Sequence, residues 1–365
     1  MDPPDARSRI GARHLLPWAR TMSKSITLRS VLRLGVLAGA GAALRGLVRQ
    51  RRRIDFTGKL AVVTGGSRGL GLVLARELLR RGARVAICAR DEPELERARV
   101  ELAALGQVFA SPCDLTSRSD ILSFFTEVRD ELGPIDILIN NAGVVTVGPA
   151  ELMTLDDYDE ALRIHLWGPL HAMSAVIPEM RQRRAGRIVN VASIGGKLAI
   201  PHLVPYSASK FALVGLSAGM RAELVKDGVY VTTACPGLMR TGSPRNAAFR
   251  GNHHAEYAWF DIADSLPLLS MSAERAARQI LDACQHGDPE VVPSLPAKLA
   301  IFANAIAPGL VQELVGAVAR ALPAPRPGSR ARRTGAESES PLAPSILTAL
   351  GDAAARRNNE IKPAK

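Results

Sequence analysis

Cysteine is scarce in this 365-residue chain. The four that occur, Cys88, Cys113, Cys235 and Cys284, stand alone and lack the paired spacing of a metal site. Isolated cysteines of this kind fit a reduced, cytosolic setting. His253 and His254 with Glu256 form the remaining ligand-type cluster. A lone pair in a loop is better read as solvated or substrate-facing, so no metal is expected. No internal repeat is evident. An apolar run able to cross a bilayer takes about 20 residues, and the uninterrupted stretch Leu34–Leu44 falls short of it.

Acidic residues are nearly missing from the two ends. Residues 1–53 carry 12 basic and 2 acidic side chains, residues 54–319 carry 26 and 29, and residues 320–365 carry 9 and 4. The corresponding net charges are +10, −3 and +5 within a total of +12. The basic character thus belongs to the ends, and the interior of the sequence is slightly acidic. Without a basic face on the folded region, nucleic acid is not an expected partner. Basic ends instead suit contact with an anionic membrane surface.

What the chain does contain is a tyrosine and a lysine one helical turn apart, Tyr206 and Lys210 in Pro-Tyr-Ser-Ala-Ser-Lys, with Ser193 upstream after Arg-Ile-Val-Asn-Val-Ala. Residues i and i+4 share a helix face, so both groups can address one substrate atom. Tyrosine has an ordinary pKa of about 10, and a neighbouring ammonium is expected to lower it by stabilising the phenolate. A serine hydroxyl at a strand end can bond the reacting oxygen. These parts move a proton at a carbonyl or alcohol oxygen and leave the hydride to a cofactor.

A site for that cofactor is announced earlier. Lys59–Thr64 reads as a buried parallel strand. Gly65-Gly66-Ser67-Arg68-Gly69-Leu70-Gly71 follows, and then an amphipathic helix through Leu72, Leu74, Ala75, Leu78 and Leu79. Glycines permit close backbone approach, and a helix N-terminus offers free N–H groups to a phosphate.

With these motifs the sequence resembles the short-chain dehydrogenase/reductase family in its one-domain form. The matching elements occur in family order: Thr64-Gly65-x-x-x-Gly69-x-Gly71, Asp114, Asn140-Asn141-Ala142-Gly143, Ser193, Tyr206-x-x-x-Lys210, Pro236-Gly237 and Thr241. The resemblance covers roughly residues 57 to 292. It implies a Rossmann-type doubly wound parallel sheet in three α/β/α layers, and reversible reaction at an alcohol or carbonyl. It further implies catalytic roles for Ser193, Tyr206 and Lys210. A dinucleotide would lie along Thr64, Gly65, Ser67, Arg68, Gly69, Leu70, Gly71, Arg90, Asp114, Leu115, Asn141, Ala142, Gly143, Pro236, Gly237 and Thr241, reaching Tyr206 and Lys210 at its nicotinamide end.

The remaining pattern agrees with that fold. Arg84–Cys88, Val108–Phe109, Ile135–Ile139, Arg187–Val191 and Val229–Thr233 read as further strands. An acidic-basic helix is expected over Glu92–Leu105 and a long one over Leu155–Arg183, with irregularities at Pro169 and Pro178. Gly65, Asn141, Ser193 and Pro236 fall at strand ends, where such sheets bind ligands.

Charge bears on the cofactor. An acidic residue after the second strand favours NAD, whereas here Cys88-Ala89-Arg90 follows, with Arg68 in the glycine turn. Two guanidinium groups suit a 2′-phosphate, so NADP(H) is favoured over NAD(H). The alternative is a solvated Arg90 beside a helix N-terminal charge pattern made by Asp91 and Glu92. One departure from the family concerns Ile164-His165-Leu166-Trp167-Gly168, where histidine stands in place of the asparagine that holds a water linking the lysine to solvent. His165 can relay protons in that role, or be a satisfied helix histidine, or mark a weak relative whose relay is lost.

The expected organisation is a basic segment over 1–53 with an apolar stretch at 31–48, a catalytic domain over 54–294, apolar helices over 295–322 and a mostly disordered tail over 323–365 with a short helix near 345–357. The stripe Leu310, Val311, Leu314, Val315, Val318 and Leu322 packs on the core or on a twin subunit, or else docks on a bilayer. Phe249, Tyr257, Trp259, Phe260 and Leu266 suggest an apolar pocket wall. Two functions are compatible with these features: an oxidoreductase using NADP(H) on a lipophilic carbonyl or alcohol, and a membrane-associated NADP(H)-binding protein with little turnover. The first is favoured by the intact Ser193, Tyr206 and Lys210. It is expected to be cytoplasmic, associated with the membrane through residues 31–48 and 299–322, and a homo-oligomer.

Overall fold

Valine- and isoleucine-rich runs punctuated by glycine and asparagine become the strands of one parallel sheet. The structure, a computed structural model, describes residues 28–325 and 330–361, without the side chains of residues 28–38 and 42. It divides into two units, Met1–Arg51 and Arg52–Lys365. Within the first, helix α1 (Leu28–Arg51) takes in the apolar stretch at 31–48, and its Leu44 and Leu47 are exposed. No helix among the described residues is long and apolar enough to cross a membrane.

In the second unit, strands and helices alternate: β1 (Leu60–Thr64), α2 (Gly69–Arg80), β2 (Arg84–Ala89), α3 (Glu92–Ala103), β3 (Val108–Pro112), α4 (Arg118–Leu132) and β4 (Ile137–Asn140). After the short β5 (Thr146–Val147) come α5 (Leu155–Leu162), a π-helical turn (Arg163–Trp167) and α6 (Gly168–Gln182). The expected single helix is therefore interrupted ahead of Pro169, which lies in the first turn of α6, while Pro178 lies inside it. β6 (Gly186–Val191), α7 (Val204–Leu224) and β7 (Val229–Ala234) follow, then β8 (Met239–Arg240), β9 (Ala248–Phe249), α8 (His253–Ser265), β10 (Met271–Ser272), α9 (Ala273–His286) and β11 (Glu290–Val291).

The sheet has the order β11-β7-β6-β4-β1-β2-β3, and every pairing is parallel. From β1 the chain proceeds to β2 and β3 on one side and to β4, β6 and β7 on the other. This reversal opens a crevice at the carboxyl ends of β1 and β4. Apolar helix faces cover both sides of the sheet. Leu72, Leu74 and Leu78 of α2 meet Ile280 and Leu281 of α9 on one face, and Phe124, Phe125, Met173 and Val176 fill the other. Both faces of β1 are buried, as its uniform hydrophobicity requires.

The end of the chain departs from expectation. Helices α10 (Leu295–Ile306) and α11 (Pro308–Ala319) form, but their apolar stripe is not packed on the core. Leu295, Leu299, Phe302, Ile306, Leu310, Leu314 and Val318 are each more than half exposed. Within the expected disordered tail, residues 330–361 are folded. β12 (Arg333–Thr334) pairs antiparallel with β9, which itself pairs with β5. Helix α12 (Ala349–Arg357) lies on α8 with Ala354 and Ala355 fully buried. Small side chains permit this close packing, which a composition rich in proline and arginine conceals.

Candidate functional site

The glycine turn between β1 and α2 is shaped by contacts that no larger residue tolerates. A Cβ on Gly71 would lie 2.0 Å from the carbonyl oxygen of Gly65, and one on Gly65 would lie 2.8 Å from Cα of Ala142. Gly65 also has a φ of +63°, which favours glycine. Thr64 lies below this turn and does not line the groove. Its hydroxyl accepts the backbone N–H of Asn141 at 3.0 Å, while the Asn141 amide donates to the carbonyls of Thr64 and Gly65, each at 3.1 Å. Thr64 and Asn141 thereby tie the ends of β1 and β4 together.

Above them runs one groove of about 770 Å³. Its walls bring together Gly65, Ser67, Arg68, Gly69, Leu70, Gly71, Arg90, Asp114, Leu115, Asn141, Ala142, Gly143, Ser193, Tyr206, Lys210, Pro236, Gly237 and Thr241. Of the residues given catalytic or cofactor-binding roles from the sequence, Thr64 and His165 alone are not part of the wall. The crevice position explains the gathering, since most of these residues sit at or beyond the ends of parallel strands, and Tyr206 and Lys210 reach it from the start of α7.

At one end stand Ser193, Tyr206 and Lys210. Ser193 caps a short turn through Gly195 N–H, which donates to its hydroxyl at 3.0 Å. Lys210 is buried, donates to the carbonyl of Val191 at 2.9 Å, and places Nζ 5.6 Å from the Tyr206 ring centre. Burial pushes the Lys210 ammonium down to about 7. Burial also raises the Tyr206 phenol above its ordinary value, with a Ser193 hydrogen bond pulling the other way. The expected lowering of Tyr206 by Lys210 is therefore not a feature of this geometry. Desolvation of the phenolate is the largest influence on Tyr206, and the Lys210 ammonium donates to Val191.

His165 is fully buried in the π-helical turn. Its Nε2 accepts the backbone N–H of Val144 at 3.1 Å, so the proton resides on Nδ1 and is donated to Ser209 Oγ at 2.7 Å. Ser209 in turn donates to the carbonyl of Tyr206 at 2.8 Å. Burial, followed by the charge of Lys210, holds the imidazole well below its ordinary pKa. Both ring nitrogens are thus engaged by protein groups, an arrangement that matches the satisfied helix histidine better than a relay.

The opposite end holds two acids that the sequence did not single out, Glu94 and Glu360. Arg68 donates to Glu94 at 2.8 Å and lies 3.4 Å from Glu360. Ser67 also donates to Glu94. Arg90 is exposed on the rim and makes no ion pair with described residues, while Asp91 caps α3 by accepting the N–H of Glu94 at 3.0 Å. Glu94 reads in sequence as one more solvated helix acid, and Glu360 as part of the tail. Nothing local distinguishes either. Of the suggested apolar wall, Phe260 alone lines the groove, whereas Phe249 and Tyr257 belong to a separate core packed against Tyr206. His253 and His254 bond Ser338 and Glu339, and among the described residues no cluster suits a metal.

A groove that begins at a glycine turn, where Cβ atoms would fill the space, and ends at a buried Tyr–Lys pair fits an extended dinucleotide. Comparison with known proteins agrees. The profile of the short chain dehydrogenase family matches residues 59–248. A Drosophila melanogaster dehydrogenase/reductase SDR family protein 7-like is 32% identical over 267 residues, covering 72% of this chain and 80% of that protein. A putative ketoacyl reductase of Streptomyces coelicolor is 35% identical over 198 residues, covering 53% and 75%. A solved short-chain dehydrogenase/reductase from Burkholderia phymatum, in complex with NAD, superposes with a TM-score of 0.65 at 24% identity, covering 70% of this chain and 96% of that one.

Proposed function

This chain belongs to the short-chain dehydrogenase family, and from that premise we propose that it interconverts a lipophilic ketone or aldehyde with its alcohol, using NADP(H). The observation that carries the reading is the convergence of Ser193, Tyr206 and Lys210 on one end of a groove whose other end is the glycine turn. When bound, the nicotinamide supplies or accepts the hydride. Ser193 and Tyr206 hold the substrate oxygen by hydrogen bonds. Tyr206 donates its proton to that oxygen during reduction and takes it back in the oxidising direction. Lys210, poised near neutrality by burial, offsets negative charge that develops on the phenol. His165 acts as a positioning residue, since it fixes Val144 N–H and, through Ser209, the backbone of Tyr206.

Arg90 supports the preference for NADP(H). It lies on the groove rim beyond β2, where an adenosine ribose would sit, with its guanidinium uncommitted to any described acid. Arg68 contributes less than its position in the turn suggests, because it is shared between Glu94 and Glu360. For the substrate, Val145, Ile164, Met239 and Phe260 give the groove an apolar side.

We further infer contact with an anionic bilayer on the cytoplasmic side. The exposed stripe of α10 and α11 supports it, together with Lys298 and Arg320 near its ends. Burying each large apolar side chain in lipid contributes roughly 1.5–3 kcal/mol.

The deciding experiment incubates purified protein with NADPH or NADH and a panel of medium- and long-chain ketones and aldehydes, followed at the nicotinamide absorbance. Oxidation of NADPH in preference to NADH is expected. Failure of both cofactors with every substrate overturns the activity.

A further inference from the structure

We propose that the C-terminal tip, Asn358–Glu360, is an intramolecular competitor of the dinucleotide, seated in the phosphate end of the groove and displaced when cofactor binds. The proposal rests on the reading of the glycine turn as the phosphate cradle. That cradle offers two kinds of donor to an anion, backbone N–H groups at the start of α2 and the guanidinium of Arg68. The tip engages both. Gly69, the first residue of α2, donates its N–H to the carbonyl of Asn358 at 2.9 Å. Glu360 sets its carboxylate 3.4 Å from Arg68 Nε and accepts from the Asn246 amide at 2.6 Å.

Space is taken as well as hydrogen bonds. Glu360 Oε1 lies 2.6 Å from the point where a Cβ on Gly69 would stand. The side chain therefore fills the opening that a glycine leaves for close approach of a phosphate. Asn359, with a φ of +55°, donates its amide to the carbonyls of Ser67 and Glu94 at 2.9 and 3.0 Å, and accepts from Arg97 at 3.1 Å. Asparagine tolerates this left-handed backbone better than most residues, so the hook at the tip is locally encoded.

The helix behind the tip is held independently, so displacement does not require the tail to unfold: Arg76 donates to the carbonyl of Arg357 at 2.6 Å, and Arg245 pairs with Asp352 at 2.8 Å. Helix α12 keeps the tip close, at high effective concentration. The seated state is nevertheless a modest anion site. Glu360 is buried, shares Arg68 with Glu94, and is pushed up to about 7 chiefly by that burial. A dinucleotide phosphate brings more charge to the same donors and outcompetes it.

The test compares the full chain with Glu360→Gln, Asn359→Ala and a chain ended after Arg357, measuring dissociation constants for NADPH and NADH by titration calorimetry. A tip seated nine-tenths of the time weakens apparent affinity about tenfold. Ending the chain after Arg357 should therefore tighten both dinucleotides by roughly that factor, and the point variants by less. Hydrogen exchange supplies a second readout on the unaltered chain: NADPH should expose the amides of residues 358–361. Unchanged or weaker binding in all variants, or greater protection of those amides, makes the tip a wall of the site and overturns the proposal. Absence of dinucleotide binding in the full chain and in every variant would instead refute the cofactor reading, and the proposal with it.

Discussion

At the scale of single residues, the proton chemistry rests on Tyr206. Tyr206→Phe removes the phenolic proton and leaves the groove walls in place. Turnover is expected to fall by ~10² or more with cofactor affinity retained, and steady-state kinetics with a binding titration check both halves. Lys210 yields a prediction about stability. Its ammonium loses a proton near 7 in the folded chain but near the ordinary 10.5 in the unfolded one. Between those values the unfolded state binds more protons, so this group makes stability rise with pH by up to about 1.4 kcal/mol per unit. Buried acids and thiols also titrate in that range, so the quantity to measure is the difference between wild type and Lys210→Met. Over pH 8–9 that difference should grow in favour of wild type in urea denaturation, and a flat difference refutes the shift. Arg90→Ala, on the rim, is expected to weaken NADPH relative to NADH by at least about tenfold, the loss of one charge-assisted contact worth roughly 1.5–3 kcal/mol. An unchanged ratio places the 2′-phosphate elsewhere.

At the scale of elements, β1, β4, β6 and β7 were legible because they are short runs rich in valine, isoleucine and threonine, as in Leu60–Thr64 before Gly65. Their carboxyl ends placed Gly65, Asn141, Ser193 and Pro236, and the family resemblance supplied the other groove residues. The break between α5 and α6 was not legible. Proline was the visible signal, but the chain departs from the α-helix at Arg163–Trp167, where His165 bonds Val144 and Ser209 across long sequence separations. The tail was hidden for a similar reason. Ala354, Ala355 and Gly351 look like filler in sequence, and their burial depends on α8, some ninety positions earlier in the chain. Helices α10 and α11 were legible as apolar stripes, though not in what covers them. If they dock on lipid, Leu299→Ser with Phe302→Ser should lower partitioning onto vesicles containing phosphatidylserine several-fold in a sedimentation assay. Partitioning equal to wild type would refute lipid docking by the stripe.

At the scale of the whole molecule, basic ends flank a slightly acidic core, and the two-unit division puts the boundary after Arg51. Arg52 belongs to the folded core, because its carbonyl accepts from Arg187 and its guanidinium stacks on Tyr230. A chain beginning at Arg52 is thus expected to keep its melting temperature and lose most of its affinity for anionic vesicles, as calorimetry and sedimentation would show. Each arginine removed from such a surface is worth about 1 kcal/mol.

The hook formed by Asn358–Glu360 also has a consequence in time. A ribosome delivers the chain from its first residue, and β11, the last strand of the large sheet, ends at Val291. At roughly 5–20 residues per second, translation needs on the order of several seconds to travel from there to Asn358. For the part of that interval after β11 has left the ribosome, the glycine turn and the Tyr206 end of the crevice can be in place before the hook is made. A newborn molecule can therefore load its first dinucleotide unopposed, and only later encounters, after release, meet the occupied seat.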